Sequence, residues 1–262
     1  MDTLQVLTQF YSNYDEEGRL LSRHGQVEFL TTMRYIEKYL RPGMRVLEIG
    51  AATGRYSHTL ARQGYKVDAV ELVQHNIDIF ETLTQPGEDI SVRQGNAKDL
   101  HFYEDEAFDM TLVLGPMYHL YTAEEQLQAL SEAIRVTKKG GIILAAYCGN
   151  DACVVQYGFR NGELLEPESE QMLNRENFML SVGSTLLFQL YRIEQIDALM
   201  AHFNTERLHF VGTDMATKYM QKEIDAMDDE FFGLYLQYHF TICERADMVG
   251  VSHHFLDIFR KR

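Results

Sequence analysis

One stretch, Arg45-Val46-Leu47-Glu48-Ile49-Gly50-Ala51-Ala52-Thr53-Gly54-Arg55-Tyr56, constrains the fold of this chain more than any other. Its apolar run reads as a buried parallel strand, which breaks into small residues and glycines before a helical pattern resumes at Arg55. Strand, tight turn and helix N-terminus therefore follow one another without a gap. Such a turn lets backbone N–H groups approach a ligand unobstructed, and the helix N-terminus adds partial positive charge, so a nucleotide-like cofactor suits it. The dinucleotide fingerprint G-x-G-x-x-G requires a small residue where the helix packs on the strand. Counting from Gly50 that position is Arg55, and the fingerprint fails there.

The next segments repeat the alternation of strand and helix. Arg55 to Gln63 reads as a helix ended by Gly64, and Tyr65 to Val70 as a second strand ending at Glu71. A carboxylate at that strand tip, about 20 residues past the turn, can accept hydrogen bonds from both hydroxyls of a ribose. Val73, Ile77 and Phe80 line a further helix, Pro86-Gly87 turns, and Ile90 to Arg93 is a third strand leading into Gly95-Asn96-Ala97. Phe108 to Leu114 is a fourth strand, followed by Gly115-Pro116-Met117-Tyr118-His119. A capping box, Thr122 to Glu125, opens a helix with Leu127, Leu130, Ala133 and Ile134 on its buried face. Lys138-Lys139-Gly140-Gly141 is expected to end that helix, and Ile142 to Tyr147 to form the fifth strand.

Taken in order, these motifs resemble those of the class I S-adenosylmethionine (SAM) dependent methyltransferases across residues 42 to 148. Glu48-x-Gly50-x-Ala52-x-Gly54 is similar to D/E-x-G-x-G-x-G, and Gly95-Asn96-Ala97 to G-D-A. Phe108-Asp109 with its apolar strand is similar to the fourth motif. The resemblance implies cofactor contacts at Glu48, Gly50, Ala51, Ala52 and Gly54, at Glu71 and Leu72, at Asn96 and Ala97, and at Leu114 and Gly115. Two positions depart from the pattern. Alanine in left-handed backbone costs about 1–2 kcal/mol, so Ala52 is expected in an ordinary region. Asn96 stands where aspartate is usual, and its amide oxygen can still accept from an adenine amino group, without charge assistance. Gly115-Pro116-Met117-Tyr118 occupies the place of the N/D-P-P-Y of amino-methylating enzymes but lacks their side-chain carbonyl, so N-methylation is not carried over. Tyr118 and His119 are the catalytic candidates, with His119 either a general base or a structural histidine.

The family implies a Rossmann-like α/β fold, a seven-stranded sheet of order 3-2-1-4-5-7-6 with strand 7 antiparallel, in a single domain over 1–262. Residues 1–41 form an N-terminal cap, 42–148 the SAM-binding core, 149–190 a lid insertion and 191–262 the completion of the core. Residues 1 to about 25 show no regular pattern, and their Tyr11 and Tyr14 are expected to close over the ligand and substrate. Val27, Leu30, Met33, Ile36 and Leu40 then mark an amphipathic helix stopped by Pro42-Gly43. The apolar pieces 178–182 and 185–190 belong to the expected lid. Ile193 to Phe203 reads as a helix, Arg207 to Val211 as a strand, Lys218 to Arg245 as one or two helices and His254 to Arg260 as the last strand. His253 and His254 read as turn and packing residues.

A formal net charge of −15 opposes tight contact with phosphate backbones, so a nucleic-acid substrate is disfavoured. The N-terminal residues lack the pattern of a signal peptide, and the longest apolar run, Ile142 to Cys148, is far short of the ~20 residues of a membrane helix. A cytoplasmic protein is expected. Three cysteines without C-x-x-C spacing imply reduced thiols and no structural metal. The expected activity is methyl transfer from SAM to an O, N or S atom of a small molecule. A non-catalytic SAM-binding sensor or partner and an RNA methyltransferase are the alternatives. Acceptor identity and oligomeric state are left open.

Overall fold

The computed structural model describes residues 3–181 and 187–262. Eight strands form one sheet: β1 Arg45–Ile49, β2 Lys66–Glu71, β3 Ile90–Gln94, β4 Phe108–Val113, β5 Thr137–Gly149, β6 Leu190–Tyr191, β7 Thr205–Gly212 and β8 His254–Lys261. Their order is β3-β2-β1-β4-β5-β8-β7, with β6 pairing β5 off the main path. β8 runs antiparallel to both neighbours. The expected order is therefore present, with the two-residue β6 added.

The described helices are α1 Thr3–Tyr11, α2 Arg23–Tyr39, α3 Arg55–Arg62, α4 Gln74–Leu83, α5 Ala123–Val136, α6 Asn150–Cys153, α7 Pro167–Met172, α8 Ile193–Met200, α9 Gln221–Asp225 and α10 Asp229–Ile242. Alternate side chains of the central strands feed two cores. Leu47 and Ile49 of β1 join Ala129, Leu130 and Ala133 of α5 and Ile196 of α8. Val46 joins Met33 and Ile36 of α2 and Leu60 of α3 on the opposite face. That burial on both faces is why the parallel strands read as unbroken apolar runs.

Three expectations are corrected. Residues 3–11 are helical, although nine residues form too short a helix to be stable alone; packing against the rest of the molecule holds it. Helix α5 ends at Val136, and Lys138 to Gly141 already lie in β5, where Gly140 turns with φ +74° and Lys138 Nζ pairs with Asp109 Oδ1 at 2.8 Å. Ala52 adopts φ +48°, the left-handed backbone that alanine was expected to avoid. The compensation comes from the neighbouring strand, because this conformation aims the Ala52 N–H at Glu71 Oε2, 2.8 Å away.

Residues 150–165 continue from β5 as α6, a π-helical turn over Val154–Arg160 and a 3₁₀ turn at Glu163–Leu165. The expected apolar pieces 178–182 and 185–190 lie in part outside the described residues. No helix among the described residues is long and apolar enough to cross a membrane.

Candidate active site

A cavity of about 950 Å³ runs along the carboxyl edge of the sheet, from the end of β3 past β1 and β4 to the seam of β5 and β8. Strand order reverses between β1 and β4, and the open crevice at such a point is where ligands of doubly wound sheets bind. Because β8 is antiparallel, its first residue His254 pairs with Cys148 at the end of β5 and so reaches the same edge.

One end is built by the glycine turn. Gly50 N donates to Val70 O at 2.8 Å, which locks the turn to β2. Gly50 has φ +74°, and a Cβ there would lie 2.6 Å from Pro116 Cδ, so only glycine lets the turn and the loop after β4 meet. Glu71 is 6% exposed and lines the cavity. Its Oε1 accepts from Val73 N at 2.8 Å and more distantly from Asn76 Nδ2, while Oε2 accepts from Ala52 N. Burial raises its pKa against the lowering effect of these bonds. Asn96 Oδ1 accepts from Lys98 N at 3.0 Å.

The middle is built by the loop after β4. His119 Nδ1 lies 3.2 Å from Leu187 O, Tyr191 Oη donates to Met117 O at 2.9 Å, and Gln189 N donates to Tyr118 O at 2.6 Å. Tyr11 Oη lies 2.8 Å from His119 Nε2, so α1 is pinned onto this loop. Phe10, Tyr118 and Phe188 add aromatic wall.

The sequence motifs thus converge. Gly50, Ala52, Glu71, Leu72, Asn96, Ala97, Leu114, Gly115, Tyr118, His119, Tyr11 and Tyr14 all line the one cavity. Glu48, Ala51 and Gly54 do not. Glu48 lies beneath the turn, where Ser57 Oγ donates to it and burial pushes its pKa up to about 8. Ala51 packs with Ala69 and Phe80. Gly54 has φ +88° and leaves no room for a Cβ beside Phe80. These three shape the turn from behind.

Residues 46–141 match the family model described as a methyltransferase domain. Over that stretch the chain is similar to the class I SAM-dependent methyltransferases. A demethylmenaquinone methyltransferase of Lysinibacillus sphaericus is 26% identical over 144 residues, 53% of this chain and 59% of that one. A ubiquinone biosynthesis O-methyltransferase of Methylocella silvestris is 29% identical over 128 residues, 48% of each chain. The chain thus spans about half the length of the curated relatives it matches. A Thermotoga maritima SAM-dependent methyltransferase, described as a possible histamine N-methyltransferase, shares the fold with a TM-score of 0.59. It is 17% identical, over 98% of this chain and 99% of that one.

The cavity fits SAM, the cofactor of these similar enzymes, on two observations. Its turn excludes a Cβ at Gly50, which keeps the backbone bare, and an acceptor-only carboxylate, Glu71, stands beside the apolar wall of Val70, Leu72 and Ala97. An adenosine needs both an apolar slot and a partner for its ribose hydroxyls.

At its other end the cavity wall, through Arg19 and His254, backs onto buried residues that motif reading missed. Arg19 Nη1 lies 3.0 Å from both oxygens of Glu28, and His254 Nδ1 lies 2.8 Å from Asp214 Oδ2 and 3.3 Å from Glu28 Oε2. Glu28, Asp214 and His254 each offer a ligand atom within 4.8 Å of the others, and the Arg19 guanidinium already lies against this group. Burial alone would raise the Asp214 pKa, but His254 beside it holds the carboxyl far below its ordinary range. One signal was available in the sequence. Glu28 falls next to Val27 on the buried face of α2, and a carboxylate there requires a partner.

Proposed function

We propose that this protein transfers the methyl group of SAM to an oxygen, nitrogen or sulfur atom of a small molecule. The observation that carries this reading is the continuity of the cavity: the wall holding Glu71 and the bare turn at Gly50 is also the wall holding Tyr118 and His119. In this reading Glu71 holds the ribose, Asn96 and Ala97 face the adenine, and Leu114 and Gly115 border the reacting end.

The cofactor brings a methyl group already activated on a sulfonium, so the protein's task is alignment and exclusion of water. Phe10, Tyr11 and Tyr14 of the N-terminal segment supply the exclusion, because they wall the cavity beside the loop after β4. His119 takes the proton of a hydroxyl or thiol acceptor at Nε2, the nitrogen that Tyr11 engages here. Burial lowers its pKa to about 4, which keeps the imidazole neutral near pH 7. The described part of residues 149–190 acts as a lid in the same reading, supported by Gly158, Leu164 and Met172 on the cavity wall.

The test is a titration of the purified protein with S-adenosylhomocysteine, followed by a metabolite screen for SAM-dependent release of that product. Calorimetric binding and a raised melting temperature are expected. Saturating ligand with neither effect would overturn the assignment.

A further inference from the structure

The seam of β5 and β8 holds a histidine whose polar groups are unused. His253 is 4% exposed, lines the cavity, and neither ring nitrogen has a hydrogen-bond partner among the described residues. Its backbone is fixed, with the N–H donating to Asp214 Oδ1 at 2.9 Å and the carbonyl accepting from Gly149 N at 2.7 Å. The rings of Tyr219 and Tyr157 lie 5.1 and 6.1 Å from the imidazole. A buried polar side chain with no partner is a standing cost to the fold, and a ligand that satisfies it explains its presence.

Lys218, on the 3₁₀ turn Met215–Met220, lines the same cavity and forms no ion pair or hydrogen bond among the described residues. The next residue, Tyr219, lies against His253, which brings the Lys218 turn to the same end of the cavity, where Cys153 also lines the wall. The nearby carboxylates are already engaged. Asp214 accepts from Ser252 Oγ, from the backbone of His253 and His254 and from His254 Nδ1, and Glu28 is held by Arg19. What remains open is donor-rich: three N–H of an ammonium and one of an imidazole that burial keeps neutral, against one imidazole acceptor. The complement of that set is an anionic group with several lone pairs. Tyr118, Phe188, Phe10 and Tyr157 supply aromatic wall for a flat apolar body.

We propose that His253 and Lys218 hold the carboxylate of the methyl acceptor, and that the acceptor is a small aromatic acid. The proposal rests on the methyl-transfer reading above, since it places the acceptor beyond Tyr118 and His119 from Glu71.

The test is calorimetry of the whole protein, with and without S-adenosylhomocysteine, using benzoate, 3-hydroxybenzoate and 3,4-dihydroxybenzoate against the matching benzamides. At least one acid is expected to bind ten times or more tightly than its amide. Lys218→Met is expected to erase that preference. His253→Leu is expected to weaken the acid tenfold or more, with His253→Gln restoring part of it and with the melting temperature of the ligand-free protein unchanged or raised. Equal affinity for acid and amide, binding by none of the acids, or an intact preference in Lys218→Met would each overturn the proposal. A large fall in melting temperature in His253→Leu would make His253 structural and remove it from the site. Binding of the acids without any binding of S-adenosylhomocysteine would support the carboxylate site and overturn the methyl-transfer reading, so the two fail separately.

Discussion

The Tyr11 hydroxyl donates its hydrogen bond to His119 Nε2 across 2.8 Å. The direction follows from the other ring nitrogen, because Nδ1 faces the carbonyl oxygen of Leu187, which can only accept, and must carry the proton. A residue of α1 therefore covers the only basic atom of His119. Any acceptor that gives its proton to Nε2 takes the place of this bond.

Tyr11→Phe is accordingly expected to keep or raise turnover, while His119→Ala lowers it about 10²–10⁴-fold and leaves the affinity for S-adenosylhomocysteine nearly unchanged. With the His119 pKa lowered to about 4, its contribution to turnover stays level between pH 6 and 8 and falls only in acid. If His119→Ala loses melting temperature and cofactor affinity together with activity, the histidine is structural.

Glu71→Ala is expected to weaken S-adenosylhomocysteine about tenfold to a hundredfold, because hydrogen bonds to a charged group contribute about 1.5–3 kcal/mol. The same change also frees the Ala52 N–H, which Glu71 holds at 2.8 Å. Ala52→Gly, which relieves the left-handed alanine, should retain binding, and calorimetry on the two variants separates loss of the carboxylate from loss of the turn.

Glu48→Gln tests the buried carboxyl beneath the turn. Its folded pKa, about 8, lies above the unfolded value, so its stabilisation is fully present below about pH 4.3 and is lost as pH rises through 8. Glutamine does not titrate and still accepts from Ser57. The variant should gain stability over the natural protein by up to about 1.4 kcal/mol per pH unit between pH 5 and 8. Urea melts at pH 5, 6.5 and 8 would show this, and a constant difference would contradict it. Cofactor affinity should not change, since Glu48 does not line the cavity.

Arg19→Met should destabilise the fold by about 3–5 kcal/mol, because it leaves Glu28, whose side chain is 8% exposed, without its guanidinium. Adding Glu28→Gln should recover part of that loss, and the double-mutant cycle measures the coupling. Additive losses would show that the pair does not act as a unit.

The sequence by itself determined the central parallel strands and where the glycine turn falls. Strands β1, β2, β4 and β5 are buried on both faces, so their apolar runs are local signals, and Gly50 and Glu71 are found by counting along the chain. Tertiary structure decided the rest. The φ of Ala52 answers to a carboxylate nineteen residues away on another strand. Helix α1 exists because Leu7 and Tyr11 have a surface to cover, and nine residues cannot hold a helix without one. The group of Arg19, Glu28, Asp214 and His254 joins one N-terminal stretch to two segments near the other end of the chain, none of which carries a motif of its own. Whether such a residue is a solvated charge, a packing residue or part of a site depends on what the fold sets opposite it, because a buried polar atom is decided by its partners and not by its neighbours in the chain.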